Sequence, residues 1–181
     1  LEVLIWRMRS NIKNDLKNFK NISIIENLDE AINRSDCVIV ATATNYHDFI
    51  ISRVMKFNRP IYIEKPISNK INIFKKLKKY DKKNIIHNGF QFRYHPNLIF
   101  FKRKIDKMLI ENIYFYNFNM GFRLDRWRKN SNYKYSYSSK KNQGGGVILD
   151  LIHQIDIAIW YFHFPRRKQA SCRLSQWRHC R

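Results

Sequence analysis

Five short apolar runs alternate with helical patterns over the first 110 residues, and this alternation limits the possible folds more than any other feature. The runs are rich in Ile or Val and apolar on both faces: Val3–Trp6, Ile22–Ile25, Cys37–Ala41, Ile61–Ile63 and Ile85–Phe90. Helical patterns separate them, near residues 28–34, 46–57 and 69–83. Asn27 followed by Glu30 resembles a capping box that opens the first helix. The sequence therefore predicts the α/β class, with a partial doubly wound, Rossmann-like parallel sheet over residues 1–95.

The pattern changes after Pro96. A helical stretch near residues 97–109 leads into the alternating run Ile113–Leu124, which is typical of a long strand in an antiparallel setting. Three glycines at 144–146 then open a strongly apolar helix to Phe162. We therefore expect a second domain over residues 96–163, the start of an α+β substrate domain with a mostly antiparallel sheet.

Both ends of the chain are unusual. Leu1 already lies inside a strand-like run and no Gly-rich turn precedes it, so we expect a fragment whose first strand and Gly-rich loop are missing. The basic tail at residues 164–181 contains no Ile, no Asn and no acidic residue. This change in composition indicates translation out of frame, and a basic interaction tail is the structural alternative.

The net charge is +21, from 35 Lys and Arg against 14 Asp and Glu. Such a balance fits a nucleic acid or another polyanion as partner. Heavy use of Lys, Asn, Ile, Phe and Tyr fits instead an A- and T-rich coding sequence, whose lysines coat solvated helices. The chain has no helix-turn-helix, zinc-ligand or RNP-like signature, so a nucleic-acid partner is not expected.

Cysteine use and hydropathy indicate the compartment. Cys37, Cys172 and Cys180 form no Cys-x-x-Cys pair, which favours a reducing, cytoplasmic setting without a structural metal. Cys37 lies in an apolar run and is expected in the core. Ionisable residues interrupt the longest apolar stretch, 147–162, so no membrane partner is expected.

Two polar segments follow strands of the predicted sheet. Ala41–His47 ends one strand and opens a helix, and Glu64–Pro66 directly follows the next strand. Ligands of doubly wound sheets bind at this edge, where helix N-terminal amides are free. A partly desolvated Lys65 there is suited to proton transfer, with Glu64 orienting it. An ordinary strand-to-helix turn and a surface lysine before a turn proline are the respective alternatives.

A third segment, Gly144–Asp156, combines three glycines with an apolar helix that carries ionisable groups. Asp150, His153 and Asp156 step by three residues and so fall on one broad side of a helix. Burying such groups is costly unless they are paired or used. The pattern indicates a positioned acid/base histidine, and a core histidine with satisfied hydrogen bonds is the alternative.

The order of these segments resembles the Gfo/Idh/MocA family of oxidoreductases, across residues 1 to about 164. Val38–Thr42 with Asn45 and His47 resembles the family's cofactor-contacting strand end. Glu64-Lys65-Pro66 resembles its signature tripeptide, whose lysine contacts nicotinamide and substrate. The triple glycine with the Asp and His that follow resembles its active-site helix.

Two further segments carry the resemblance. Gly89–Pro96 resembles the crossing between the two domains of the family. The stretch 127–138 resembles members found with surface-polysaccharide or sialic-acid-type sugar pathways. Four motifs in the same order are far more specific than any one of them.

The resemblance implies NAD(P)-dependent hydride transfer to or from a hydroxyl or carbonyl carbon of a sugar or nucleotide-sugar. It implies His153 as general acid/base, Asp150 to orient it or hold a sugar hydroxyl, and Lys65 to polarise the same oxygen. The implied cofactor contacts are Arg7, Ala41, Thr42, Asn45, His47, Glu64, Lys65 and Gln91. The implied substrate contacts are Arg93, Tyr94, Trp127, Arg128, Tyr137 and Asp150. A homo-oligomeric parent enzyme is implied as well.

The residues that follow the first predicted strand indicate which cofactor the chain prefers. Trp6–Arg9 offers no acid for a ribose 2′-hydroxyl, whereas Arg7 or Arg9 would meet a 2′-phosphate, which favours NADP over NAD. A surface basic pair is the alternative.

The chain departs from the family pattern in three places. The spacing from Asp150 to His153 is three residues rather than the usual four, and Ala43 stands where Pro is common. The phosphate-binding Gly-rich turn is absent. We therefore predict open sheet edges, poor solubility and weak cofactor binding, hence an inactive product, for residues 1–181 alone. A basic nucleic-acid-binding module and a non-catalytic pseudogene remnant are the alternative functions.

Overall fold

A computed structural model describes residues 1–7, 20–80, 85–107, 115–121, 124–127 and 132–163. The chain forms two compact units. The first contains Leu1–Phe90 and Gly121–Ile152, and the second contains Gln91–Met120 and the chain from His153 onward. The boundary predicted at 95/96 lies near the first crossing, whereas the return of 121–152 to the first unit was not predicted.

The described residues of the first unit form five strands, all paired in parallel. They are β1 (Val3–Ile5), β2 (Ile22–Ile24), β3 (Val38–Val40), β4 (Ile61–Ile63) and β5 (Ile86–Asn88). β1 pairs with β2, and a second sheet has the order β3-β4-β5. Every strand lies inside an apolar run that predicts it, so the parallel α/β fold is confirmed.

The described α-helices are α1 (Leu28–Asn33), α2 (Thr44–Lys56), α3 (Asn72–Tyr80), α4 (Pro96–Asp106), α5 (Leu124–Trp127), α6 (Val147–Asp150) and α7 (Ile152–Phe162). The Asn27 side chain accepts hydrogen bonds from the amides of Asp29 and Glu30, as an N-cap does. α2 begins two residues before its predicted start, with Ala43 as its N-cap. The helix predicted from Gly146 to Phe162 is interrupted at Leu151, between α6 and α7.

The core of the first unit is aliphatic. It consists of Ile32, Val40, Ile50, Ile51, Val54, Ile61, Ile63, Ile73 and Leu77. The central strand β4 buries both Ile61 and Ile63, as its apolar pattern predicts. Tyr62, which points to the opposite face of β4, is half-buried, whereas Ile39 of β3 is 68% exposed. Full burial is therefore confirmed for one face of β4, and burial on both faces is wrong for β3.

Cys37 lies outside the core. The prediction that it is buried is wrong: its side chain is exposed. β3 begins one residue later, at Val38, so Cys37 precedes the pleated segment that packs against the helices.

In the described part of the second unit, α4 and α7 are the long helices, and aromatic side chains make many of its contacts. Tyr161 on α7 donates its hydroxyl to Leu98 O on α4 at 3.0 Å. The ring of Phe162 stacks on Tyr116, with centroids 4.3 Å apart. Residues 115–121 form neither helix nor strand, so the strand predicted over 113–124 is absent from its described part. A strand needs a hydrogen-bonded neighbour, and the described residues place none beside this segment.

No single helix among the described residues is long and apolar enough to cross a membrane. Two consecutive helical segments, Lys141–Asp150 and Ile152–Phe162, are bent by 48° relative to each other; taken together, they have the length and composition of a membrane span, and this is the only evidence for one.

Candidate active site

The carboxyl ends of three parallel strands meet at one edge of the sheet β3-β4-β5. The strand ladder continues past β4 and β5, since Glu64 N donates to Val40 O at 2.9 Å and Gly89 N donates to Ile63 O at 2.8 Å. A Cβ at Gly89 would lie 2.7 Å from the Tyr62 hydroxyl, so only glycine fits there without movement. Glu64 is thereby fixed by main-chain bonds at the edge where ligands of such sheets bind.

Lys65 projects from this edge toward Asp150. Its Nζ donates to the main-chain oxygen of Asp150 at 2.8 Å, and its own amide donates to Glu64 Oε2 at 3.2 Å. The structure thus brings together two residues that the sequence assigns to catalysis, although they lie 85 positions apart. The contact uses the main chain of Asp150 rather than its carboxylate.

The Asp150 carboxylate has a different partner. Asp150 is buried, and its Oδ1 accepts a 3.4 Å hydrogen bond from Ser138 Oγ, which is also buried. Sequence reasoning missed Ser138, although it named the neighbouring Tyr137 as a substrate contact. Tyr137 is half-buried and begins the 3-10 turn Tyr137–Ser139. The nearest signal in the sequence was the resemblance of the stretch that contains both residues.

The triple glycine permits close approach of two segments. Gly144 has φ +86°, and a Cβ there would lie 2.6 Å from Thr44 Cβ. A Cβ at Gly145 would lie 2.2 Å from Tyr137 O and 2.5 Å from Ser138 O. The glycines therefore let this loop pack on the first residue of α2 and against the turn that carries Ser138.

His47 lies one turn into α2 and is 1% exposed. Its Nδ1 is 3.1 Å from both Pro66 O and Ile67 O, and its Nε2 is 3.0 Å from Thr42 O. The ring therefore lies between the turn that follows β3 and the turn that contains Lys65. Its contact with a cofactor stays a prediction.

Two amide side chains at this edge have buried oxygens without a partner. Asn45 Oδ1 on α2 and Asn88 Oδ1 at the end of β5 have no hydrogen-bond partner among the described residues. Buried polar atoms are nearly always paired, so both oxygens are suited to accept a hydrogen bond from a ligand amide or hydroxyl. Asn45 belongs to the predicted cofactor contacts, whereas Asn88 was not predicted.

In the second unit, α7 is held by the 3-10 turn Gln91–Tyr94. Arg93 donates to both carboxylate oxygens of the buried Asp156, at 2.9 Å and 2.6 Å. The hydrogen bond to Asp156 raises the pKa of Arg93 above its usual value, against the opposing effect of burial. Phe92 contacts the buried His153, with ring centroids 4.6 Å apart. Arg93, predicted to bind substrate, thus binds α7.

The other predicted site residues are more peripheral. Gln91, Tyr94 and Ala41 are exposed, whereas Arg7 and Thr42 are half-buried. Trp127 ends α5, and Arg9 and Arg128 lie outside the described residues. Within the described ranges, no group of three or more His, Cys, Asp or Glu side chains could hold a metal ion.

Residues 3–87 match the family model of the Gfo/Idh/MocA oxidoreductases, described as an oxidoreductase family with an NAD-binding Rossmann fold. This segment covers β1 to β4, the first two residues of β5 and Glu64-Lys65-Pro66. Residues 3–87 belong to the Gfo/Idh/MocA family.

Solved structures share the fold over most of the chain. A probable dehydrogenase from Thermotoga maritima matches with a TM-score of 0.66 and 20% identity, over 89% of this chain and 48% of its own. Myo-inositol 2-dehydrogenase from Lactobacillus plantarum matches with a TM-score of 0.54 and 22% identity, over 61% of this chain and 34% of its own.

A third structure was solved with ligands. The WlbA (WbpB) dehydrogenase from Thermus thermophilus, in complex with NAD and α-ketoglutarate, matches with a TM-score of 0.65 and 17% identity, over 89% of this chain and 54% of its own. The chain thus spans about half the length of these structures, or less. No curated protein matches it.

Proposed function

We propose that this chain belongs to an NAD(P)-dependent oxidoreductase that moves a hydride to or from a hydroxyl or carbonyl carbon of a sugar or nucleotide-sugar. The observation that carries the proposal is the position of Lys65. Its ammonium lies at the carboxyl edge of an NAD-binding type of sheet and is bonded to the main chain of Asp150. A cation held at this edge by a main-chain oxygen is suited to stabilise charge that develops on a substrate oxygen.

The residues at this edge fit a nicotinamide cofactor. Asn45 and Asn88 offer buried amide oxygens that have no partner among the described residues, and Thr42 offers a hydroxyl. A bound nicotinamide ring would supply the hydride chemistry. The basic side chain of Arg7 favours NADP over NAD, because it would pair with a 2′-phosphate.

Protein groups supply position and a proton. Lys65 donates a hydrogen bond to the reacting oxygen, and Ser138 fixes the Asp150 carboxylate so that it accepts from a substrate hydroxyl. His153, held against Phe92, acts as the general acid/base. Arg93 is paired with Asp156 and so holds α7, and its contact with the sugar stays a prediction.

The substrate class is supported by sequence and by neighbours. The stretch 127–138 resembles members of surface-polysaccharide pathways, and one structural neighbour is a myo-inositol 2-dehydrogenase. A cyclic polyol and a sugar ring both present several neighbouring hydroxyls, which suits a site with a paired carboxylate, an ammonium and amide oxygens. We expect the substrate to be a sugar or nucleotide-sugar.

Turnover tests the catalytic roles. NAD+ and NADP+ reduction are followed with a panel of nucleotide-sugars, for a full-length enzyme that contains this chain and for its Lys65→Ala and His153→Ala variants. Each variant should lower kcat by roughly 10²–10⁴, because each removes a proton-transfer or charge-stabilising group. Lys75→Ala, on the exposed face of α3, is the matched control and should be unchanged. Wild-type turnover in both site variants would remove the assignment.

Cofactor affinity is a separate measurement. Residues 1–181 contain no Gly-x-Gly-x-x-Gly turn, so binding of NADH and NADPH by this chain should be weak. Saturation-transfer NMR detects weak ligands, and Asn45→Ala should lower its signal. Micromolar affinity would contradict the expectation of weak binding, and no signal with either cofactor would contradict the proposed function.

A further inference from the structure

His47 is the buried polar group at the sheet edge that the proposed chemistry does not use. Its side chain is 1% exposed, and all three hydrogen-bond contacts found for its ring are to main-chain carbonyl oxygens. Carbonyl oxygens only accept hydrogen bonds, so the ring acts here as a donor. A buried donor of this kind holds main-chain segments in place.

The segments that it holds are those that carry the proposed site. Thr42 O belongs to the turn after β3, and Pro66 O and Ile67 O belong to the turn after β4. Both turns start from strands of one sheet, but the chain between them consists of α2 and β4. Through Nδ1, the side chain of His47 thus connects α2 directly to the main chain of the two residues that follow Lys65.

We propose that His47 is a positioning residue, with its proton on Nδ1, that fixes the turn after Lys65 and so directs the lysine ammonium toward Asp150. Nδ1 has two acceptors at 3.1 Å, whereas Nε2 has one at 3.0 Å. The Nδ1 proton therefore bonds the Lys65 turn, and loss of that bond frees the main chain at Pro66 and Ile67. The Lys65 Nζ to Asp150 O bond depends on this anchor. Only the catalytic use of Lys65 rests on the proposed function.

Two amide substitutions separate the two sides of the ring. In His47→Asn, the side-chain amide nitrogen stands at about the place of Nδ1 and still donates toward Pro66 and Ile67. In His47→Gln, it stands at about the place of Nε2 and donates toward Thr42 instead. His47→Gln thus removes the bond from Nδ1 that holds the turn after Lys65, and His47→Asn keeps it.

The readout is the acylation rate of individual lysines. The folded chain is treated briefly with an acetylating reagent, and each lysine is quantified by peptide mass spectrometry. Lys75 and Lys76, exposed on α3, are internal references. His47→Gln should raise the Lys65 rate relative to these by about fivefold, the factor that corresponds to one ordinary hydrogen bond. His47→Asn should stay within a factor of about two of the wild type.

A control distinguishes positioning from general loosening. Ile51 lies one turn further along α2 and is buried, so Ile51→Ala weakens the same helix without removing a hydrogen bond to the turns. It should lower Tm and leave the relative Lys65 rate unchanged. Equal Lys65 rates in the two His47 variants, or a rise in Ile51→Ala, would overturn the proposal.

The wild-type chain gives an independent measurement if the variants do not fold. NMR of 15N-histidine-labelled protein should show a slowly exchanging proton on Nδ1 of His47, because that nitrogen is buried and bonded to two carbonyls. An Nδ1 without a proton would overturn the proposal that His47 holds the turn after Lys65. Neither measurement needs cofactor or turnover. A negative result for His47 therefore leaves the proposed dehydrogenase function untouched, and a lack of cofactor binding leaves the positioning role of His47 untouched.

Discussion

The two units hold their site residues by different means. In the first unit, Lys65 follows a strand that is bonded on both sides and whose Ile61 and Ile63 are buried in an aliphatic core. In the second unit, His153 lies on α7, which is held by side-chain contacts through Arg93, Phe92 and Tyr161.

Lys65 and His153 differ in the number of bonds that hold the element on which each lies. A strand inside a sheet is tied by a repeating ladder, so the loss of one side chain leaves the main chain registered. A helix tied by a few side chains shifts when one of them is removed. We therefore expect the position of Lys65 to tolerate most substitutions in its surroundings other than at His47, and the position of His153 to depend on several single residues.

The largest expected effect comes from the core of the first unit. Ile63→Ala removes a fully buried side chain from the central strand and should cost about 2–5 kcal/mol of the free energy of unfolding. Ile39→Ala, on the exposed face of β3, should cost less than about 1 kcal/mol. Urea unfolding measures both. Similar losses for the two would show that β3 is covered in solution, and the contrast between the units would weaken.

A substitution in the segment 121–152 tests whether this segment belongs to the first unit. Gly145→Ala places a Cβ within 2.5 Å of two main-chain oxygens, and should cost about 3 kcal/mol because main chain must move. Gly121→Ala has open space and should change little. Hydrogen exchange should show the Gly145→Ala loss in β3, β4 and α2. A loss confined to residues 91–107 would contradict the assignment of this loop to the first unit.

The ion pair tests the second unit. Asp156→Ala removes the buried partner of Arg93, which is itself partly exposed, so the cost should be about 2 kcal/mol rather than that of a fully buried pair. Asp106→Ala removes the exposed carboxylate of the Lys102–Asp106 pair of α4 and should stay within about 0.5 kcal/mol. Equal effects would mean that the Arg93 pair does not hold α7. Exchange of α7 amides gives the same comparison residue by residue.

The smallest effect compares one buried tyrosine in each unit. Tyr80 donates to Arg59 O at 2.9 Å, and Tyr161 donates to Leu98 O at 3.0 Å. Burial raises the pKa of both phenols, so the folded chain favours the neutral form. This contribution is complete below the unfolded value of about 10 and is lost as the pH rises through and above it.

Tyr80→Phe and Tyr161→Phe should each cost about 1 kcal/mol at neutral pH, the value of one hydrogen bond. Each should also reduce the loss of stability above about pH 10. Thermal unfolding across this pH range measures both effects. An alkaline loss that is unchanged in the two variants would show that other groups cause it.

Sequence patterns predicted the elements of the first unit well. Each of the five strands lies within its predicted run, and Asn27 caps α1. These features depend on local residue type: β-branched runs favour strands, and an Asn side chain reaches amides two and three residues ahead. Lys65 and Asp150 were also named from motifs.

The features that were missed depend on residues far apart in the chain. Ser138 binds Asp150 because the glycine loop packs closely, and nothing local to Ser138 indicates this. The run 113–124 has the alternation of a strand, but alternation does not supply a neighbour. Cys37 was misplaced because the strand starts one residue after the apolar run begins.

The bond from Lys65 to Asp150 has a consequence for comparisons among relatives. The lysine bonds a main-chain oxygen, which every amino acid provides, so position 150 is free to change without altering this contact. Ser138 and Asp150 join through their side chains and must change together if their bond is to survive. In a set of related sequences, positions 138 and 150 should therefore covary, while the tie between positions 65 and 150 should leave no statistical trace.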